Sequence, residues 1–529
     1  MNYPLSFVTI SLDMGTTKGK NLTTVITVLI SLGVIGSVMF ASLQSFRPTP
    51  ADDRATSTAI LPALTPIPIE AIALFSKGEQ ALAQEEYKTA VTAYSEAIDL
   101  SPEYVDAYLK RSLAYKALGL NKQAVVDLST VMELKGESSE LLRQRGDLYY
   151  LIENYAKAVE DYTKTIRLNP EDVEAYTNRS VAYTRLENIE KAIADVDQVM
   201  ARVPNSASAY FNRAILYEAL NELEKALPDY SRAIELSKDN AGLIYLRRGL
   251  LYARMDKTSD ALTDFEYAID LGVEDETLYN ERGVIYWNLD QPEQALAEFN
   301  KALALNPQNS AVYFNRGGVY MNTQQYELAV ANYNQAIQLD PSNALFLNNR
   351  GLAHYMNDSL ELALKDYNQA IQLEPDYSEA YQNRANVLVQ GEDLSLAIED
   401  YTKVIELENS SPDAYYNRGI VFYKLNDYEA ALGDFTQIID TSMPNVVQAL
   451  NMRAVIFYTQ KKYTFALEDL TTAIETNPEY PDSYERRALV YNALGKTLNA
   501  IADLKLYLEL ETDPELRKEA EKQLKLLGG

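Results

Sequence analysis

The chain has 529 residues, with 48 Lys plus Arg against 76 Asp plus Glu and a formal net charge of −28. That balance repels a nucleic-acid backbone, whose binding depends on cationic contacts, so no nucleic acid is expected among its partners. The absence of cysteine excludes disulfides, thiolate metal sites and a cysteine nucleophile, and a single histidine, His354, excludes any site built on two imidazoles.

At this length the chain must be several domains or a repeat array whose core grows by stacking. Residues 1–20 read as a cytoplasmic N-terminal tail and 21–46 as a transmembrane signal anchor. No charge interrupts Asn21 to Phe46, and the apolar run Val25 to Leu43 makes a helix about 28 Å long at 1.5 Å per residue. That nearly matches a ~30 Å hydrocarbon core. Lys18 and Lys20 precede it against Asp13 alone, whereas Arg47 and Arg54 follow it beside Asp52 and Asp53. The positive-inside rule therefore places residues 47–529 on the non-cytoplasmic side, periplasmic, lumenal or extracellular. The alternative is a cleaved signal peptide and secretion, although the best cut, after Ala41, puts bulky Met39 at the minus-three position. Residues 47–70, with Pro48, Pro50, Pro62, Pro66 and Pro68 among Thr and Ser, read as an extended linker.

Beyond it an alanine recurs: Ala90, Ala124, Ala158, Ala192, Ala226, Ala261, Ala295, Ala329, Ala363, Ala397, Ala431, Ala466 and Ala500, stepping by 34 residues ten times and 35 twice. Twelve positions before each stands Gly, Ser or Ala, from Gly78 to Ala488, where two helices can approach closely. Apolar residues between them fall at helical spacing, and turn signals divide each unit into two helices. Asn-Pro or Asp-Pro closes several second helices, as at Pro170, Pro307, Pro341 and Pro478.

This pattern resembles the tetratricopeptide repeat, whose ordered signature is filled by Tyr313, Gly317, Tyr320, Ala329, Tyr333 and Pro341 in one unit. The resemblance covers residues 71–514 as thirteen units and is that of a prokaryotic-type array behind one membrane anchor. It implies an all-α fold, a right-handed superhelical solenoid of stacked antiparallel helix pairs. Pro228 falls inside a second helix, where it removes a backbone bond or kinks the chain. Residues 515–529, amphipathic from Glu515 to Leu526, suit a capping helix over the last unit's apolar face.

Two ladders run through the array. Immediately before the small residue comes Arg in twelve units, Arg111 to Arg487, and sixteen residues later Asp in ten of those twelve, with Glu298 and Asn332 in the others. In an antiparallel pair these positions lie at similar height, so they form an ion pair between the two helices rather than a basic stripe for an acidic ligand. The second ladder is Asn one position earlier, Asn178, Asn212, Asn315, Asn349, Asn383 and Asn417. Asn is a poor helix former, so its recurrence needs another cause. It looks like the asparagine ladder of the O-linked N-acetylglucosamine transferases, whose amides grip a peptide backbone; the alternative is packing within the first helix.

The resemblance also implies which positions face the concave groove: the second, fifth, ninth, twelfth and thirteenth of each unit. Three successive units then offer Trp287, Phe314, Met321, Tyr355 and Met356, with Asn288, Asn322 and Asn348, and no charge among them; Tyr416, Tyr423, Asn451 and Tyr458 follow. Aromatics and Met suit recognition of polypeptide. The alternative is contact with another turn of the superhelix.

Catalysis has no foothold. His354 occupies a slot held by Tyr115, Tyr149 and Tyr183 in other units, which points to packing. Leu494-Gly495-Lys496-Thr497 lacks the upstream glycine of a phosphate loop and the preceding strand, so it is a turn. The expected function is a membrane-tethered scaffold or adaptor, not an enzyme and without cofactor, binding a protein or peptide that is basic or aromatic-rich. A spacer, a self-associating solenoid and the targeting subunit of a separately encoded enzyme are the alternatives.

Overall fold

The computed structural model describes residues 66–237, 241–408 and 411–528. The expected tail, membrane anchor and most of the linker lie outside them. Among the described residues no helix is long and apolar enough to cross a membrane.

The described residues form 27 helices of 13 to 15 residues and no strand. These residues make an all-helical solenoid. The described residues divide into two compact units, the first ending at Glu274 and the second beginning at Asp275. The first runs from the pair Ile69–Ala83 and Tyr87–Leu100 to the pair Gly242–Arg254 and Thr258–Asp270. The second runs from Glu276–Asn288 and Pro292–Leu305 to Pro481–Ala493 and Thr497–Leu510, followed by Pro514–Leu526. The first helix begins at Ile69, two residues ahead of the expected repeat boundary.

The recurring alanine is buried in every pair, 0% exposed from Ala90 to Ala500. The small residue twelve positions earlier has a more specific cause than close helix approach. At Gly78, Gly146, Gly249, Gly283, Gly317, Gly351 and Gly419 the aromatic ring sixteen residues later stands where a Cβ would be; a Cβ at Gly283 would stand 2.6 Å from Phe299. Where the small residue is Ser or a later Ala, the counterpart is usually shortened, as in Ser112 with Leu128 or Ala454 with Leu470.

Each hairpin turns through one left-handed residue, Gly119 and Gly495 in two pairs but Glu153, Asp290, Gln324 and other non-glycines elsewhere. Around Glu153 the bonds Glu153 N–H to Tyr150 O, 3.0 Å, and Asn154 N–H to Tyr149 O, 2.8 Å, form a Schellman closure that satisfies carbonyls orphaned at the helix end. The helix containing Pro228 runs unbroken from Leu223 to Ser237. The last helix starts on Asp513, whose carboxylate accepts from Glu515 and Leu516 N–H. Its Ala520 and Leu524 pack on Tyr484, Ala488, Leu504 and Tyr507 of the final pair.

Candidate functional site

The Arg–Asp spacing places both groups at one height between antiparallel helices. Arg350 donates from Nε and Nη2 to the two oxygens of Asp366, at 2.8 and 2.6 Å. Arg179 does the same to Asp195 at 2.8 and 2.6 Å. The carboxylates are buried and the guanidinium groups nearly so; side-chain exposure is 3% for Asp366 and 19% for Arg350. Burial lifts the Asp195 carboxyl above its usual range even against the pull of Arg179, so desolvation offsets much of the attraction.

A third partner escaped the sequence reading. Nη1 of each Arg paired with an Asp reaches back sixteen or seventeen residues to the preceding pair: Arg179 to Thr163 Oγ1 at 3.0 Å, Arg248 to Ser231 Oγ at 2.9 Å, Arg350 to Asn334 Oδ1 at 2.7 Å. The ladder therefore ties neighbouring pairs together as well as the helices within one. Arg316, facing Asn332 instead of a carboxylate, keeps the geometry with bonds to Asn332 Oδ1, 2.8 Å, and Asn300 Oδ1, 2.6 Å.

The asparagine ladder is largely spent inside the stack. Asn178 donates to Asp147 Oδ1 at 2.9 Å, Asn315 to Asn280 Oδ1 at 3.0 Å and Asn383 to Asn348 Oδ1 at 3.1 Å, each reaching the preceding first helix. Asn349 donates to Leu345 O at 2.9 Å in its own helix. Asn417 is half-buried. Asn212 differs, since its Oδ1 is buried with no hydrogen-bond partner.

The expected aromatic face divides. Phe314 and Met321, expected on the open groove, are core residues at 8% and 7% exposure. Phe314 stacks on Phe346 at 5.0 Å and tilts against Tyr333 at 5.6 Å. Asn348 and Asn451, also expected in the groove, are fully buried. The cause is that successive first helices interdigitate, so a fifth-position side chain enters the seam between pairs. Trp287, Tyr355 and Met356 are half-buried. Trp287 lies over Gly318 of the following pair, where a Cβ would come within 2.4 Å of its ring. Tyr416 tilts against Phe435, Tyr423 against Tyr428 and Tyr458 against Tyr463, and Tyr458 is the most open of them at 38%. His354 is half-buried, 3.9 Å from Asp366 Oδ2, and burial lowers its pKa. Five carboxylates the sequence did not single out, Asp147, Glu218, Glu281, Glu379 and Glu485, are held above their usual pKa range by burial.

Models described as TPR repeat match residues 78–119, 146–187, 319–358 and 385–426, and models described as tetratricopeptide repeat match 207–240, 277–309, 298–331, 344–377 and 417–469. The chain is a tetratricopeptide-repeat protein. No curated protein matches it. Among solved structures it is similar to YrrB, "a TPR protein with an unusual peptide-binding site", at 28% identity over 35% of this chain and 95% of that one, TM-score 0.32. It is similar to the APC/C hetero-tetramer Cut9-Hcn1 at 14% identity over 81% and 97%, TM-score 0.38. It is also similar to yeast Tom70 at 19% identity over 87% and 95%, TM-score 0.32. In tetratricopeptide terms, Trp287, Tyr355 and Tyr458 are the candidates left on the accessible side of first helices, while Phe314 and Met321 hold repeats together.

Proposed function

We propose that this protein is a membrane-tethered, non-catalytic scaffold whose thirteen tetratricopeptide units, residues 71–514, wind into a right-handed superhelix that binds a protein or peptide partner in its concave groove. Residues 21–46 form the anchor, with the array on the non-cytoplasmic side. The observation that carries the binding reading is the half-exposed, uncharged set Trp287, Tyr355 and Met356 on first helices. Large side chains anchored on one edge and open on the other lose little entropy on binding and dominate interfaces. The acidic surface favours a basic partner and mainly speeds encounter.

The test is crosslinking in native membranes, followed by titration of the recovered partner against the purified full-length chain. Trp287→Ala and Tyr355→Ala are each expected to weaken binding by about 2 kcal/mol while helix content is unchanged. Equal affinities would move the site or remove the groove reading. Topology is tested by Ser57→Cys, expected to label with an impermeant thiol reagent in intact cells; labelling only after lysis reverses the orientation. The burial of Phe314 and Met321 favours a second reading, a spacer or self-associating solenoid, which predicts concentration-dependent sedimentation and no saturable partner.

A further inference from the structure

The first unit holds a cavity of about 240 Å³ between the helices Val173–Arg185, Ile189–Arg202 and Ala207–Ala219, walled by Val173, Val181, Val196 and Val199 beside Asn212. The second unit carries its distinguishing feature on the outside. The slot just before the recurring alanine is polar throughout the first unit, Thr89, Gln123, Lys157, Lys191, Lys225 and Asp260 in succession, and Gln294 opens the second. From there it turns apolar in five consecutive repeats: Leu328, Leu362, Leu396, Ala430 and Phe465. The three leucines are 45 to 48% exposed and Phe465 is 55% exposed.

The slot stands over the side chain eight residues earlier. Lys157 Nζ lies 5.4 Å from the centre of the Tyr149 ring and Lys191 Nζ 5.5 Å from that of Tyr183; in the second unit the Phe465 ring lies 5.5 Å from Phe457. A lysine there carries its charge into water and covers the ring with its stem, whereas a leucine leaves bare hydrocarbon in the same place. Single exposed apolar side chains are ordinary on a protein surface, but one slot turned apolar through successive repeats makes a row, and a row of that kind marks an interaction surface.

Its surroundings say what covers it. Within four residues of the three leucines stand Glu327, Asp358, Glu361, Glu392, Asp393 and Glu399, all exposed, against one exposed cation, Lys365. Asp366 and Asp400, in the same stretches, are already spent on Arg350 and Arg384. Hydrocarbon between carboxylates is complementary to a helix whose apolar stripe runs between Lys and Arg: the stripe covers the leucines while the cations pair at the rim, where they keep their water.

We infer that the row Leu328, Leu362, Leu396 and Phe465 is a docking surface for a basic amphipathic helix of a partner protein. These residues lie on second helices, whereas those of the proposed groove lie on first helices. The inference therefore goes beyond the groove reading, and its failure leaves that reading untouched.

The test uses the full-length protein and three capped, fluorescein-labelled peptides of about 20 residues, long enough to form a helix, read by anisotropy. One is built of Leu and Lys with the leucines at helical spacing, one has the same composition in scrambled order, and one carries Glu in place of Lys. The first is expected to bind roughly tenfold or more tightly than the scrambled peptide, and the third not to bind. Leu328→Gln, Leu362→Gln and Leu396→Gln together are expected to weaken the first peptide roughly tenfold with helix content unchanged, since Gln fills this slot at Gln123 and Gln294. Should the triple variant lose helix content, Glu361→Gln with Glu399→Gln, both at exposed positions, takes its place and is expected to weaken the first peptide about threefold. Equal binding of the ordered and scrambled peptides, or binding that both variants leave intact, overturns the inference. Binding of the Glu peptide as tight as that of the Lys peptide overturns it as well, by removing the basic partner. Concentration-dependent sedimentation of the wild type that the leucine variant abolishes assigns the row to a second copy of the chain and also overturns it.

Discussion

The repeats around Val173–Ala219 and those around Ser310–Met356 stand on the same frame and fill it differently. Both have the bidentate Arg–Asp pair, Arg179 with Asp195 and Arg350 with Asp366, and both have the Asn before Arg. In the second region Gly317 receives the ring of Tyr333, Phe314 stacks on Phe346, and Asn315 finds Asn280. In the first, Ser180 and Val196 stand where the glycine and the ring would be, and the seam is left hollow beside Asn212, whose Oδ1 has no hydrogen-bond partner. The ion pairs and the buried alanines make a repeat; the side chains in the seam decide whether neighbouring repeats close on each other or leave room for something else.

The largest effect should come from the shared frame and should be equal in the two regions. Asp195→Ala and Asp366→Ala each leave a nearly buried guanidinium without its carboxylate, and each is expected to cost about 3–5 kcal/mol in urea unfolding. A double-mutant cycle on Arg350→Ala and Asp366→Ala should be strongly non-additive, because the second removal takes away the charge stranded by the first. Additive losses would mean that the pair is not a unit. A much smaller cost at Asp195 than at Asp366 would show that the hollow region tolerates loss of its frame.

The next effect should differ in sign. Asn315→Leu strips Asn280 Oδ1 of its donor and crowds a buried position, and is expected to cost about 1–3 kcal/mol. Asn212→Leu removes an acceptor that already lacks a partner and adds apolar surface beside a valine-lined hollow, so it should be neutral or stabilise by about 1 kcal/mol. Thermal melts of the two variants side by side decide it; equal losses would erase the distinction between the regions.

The helix pairs were legible because they repeat: the alanine register alone located every second helix, and the sixteen-residue Arg–Asp interval identified a bond that the structure contains. The third partner was legible too, since Ser95, Ser129, Thr163, Asn300, Asn334, Asn368 and Thr402 all stand sixteen residues before an Arg. What stayed hidden was exposure at the candidate site. Position on a helix fixes direction, whereas burial of Phe314 depends on Phe346 and Tyr333 in other helices. The asparagines show the same limit, since Asn178 donates to Asp147, 31 positions earlier, Asn315 to Asn280, 35 positions earlier, and Asn349 to a carbonyl of its own helix, a choice that depends on how neighbouring helices pack.

The smallest effect concerns the step where the ladder of the hollow region begins. Asp147 accepts at one oxygen, Oδ1, from Tyr162 Oη at 2.8 Å and from Asn178 Nδ2 at 2.9 Å. Burial raises its pKa despite those bonds and despite the nearby Lys116 and Arg143. A carboxyl whose pKa is higher folded than unfolded binds more proton in the native state. Its contribution therefore favours folding at low pH and is lost as pH rises from the unfolded carboxylate range through the raised folded value. Asp147→Asn keeps an Oδ1 acceptor for both donors and has no proton to lose. It is expected to change stability at neutral pH by no more than about 1 kcal/mol and to flatten the slope of stability against pH across the acidic window. Urea midpoints at several pH values, wild type against variant, measure that slope. A slope that survives the substitution would assign it to the other carboxyls whose pKa values burial raises, Asp195 and Glu218 in the same unit or Glu281, Glu379, Asp434 and Glu485 in the other. A neutral-pH loss well beyond 1 kcal/mol would show instead that the charge on Asp147 holds Asn178 in place, and with it the edge of the cavity next to Asn212.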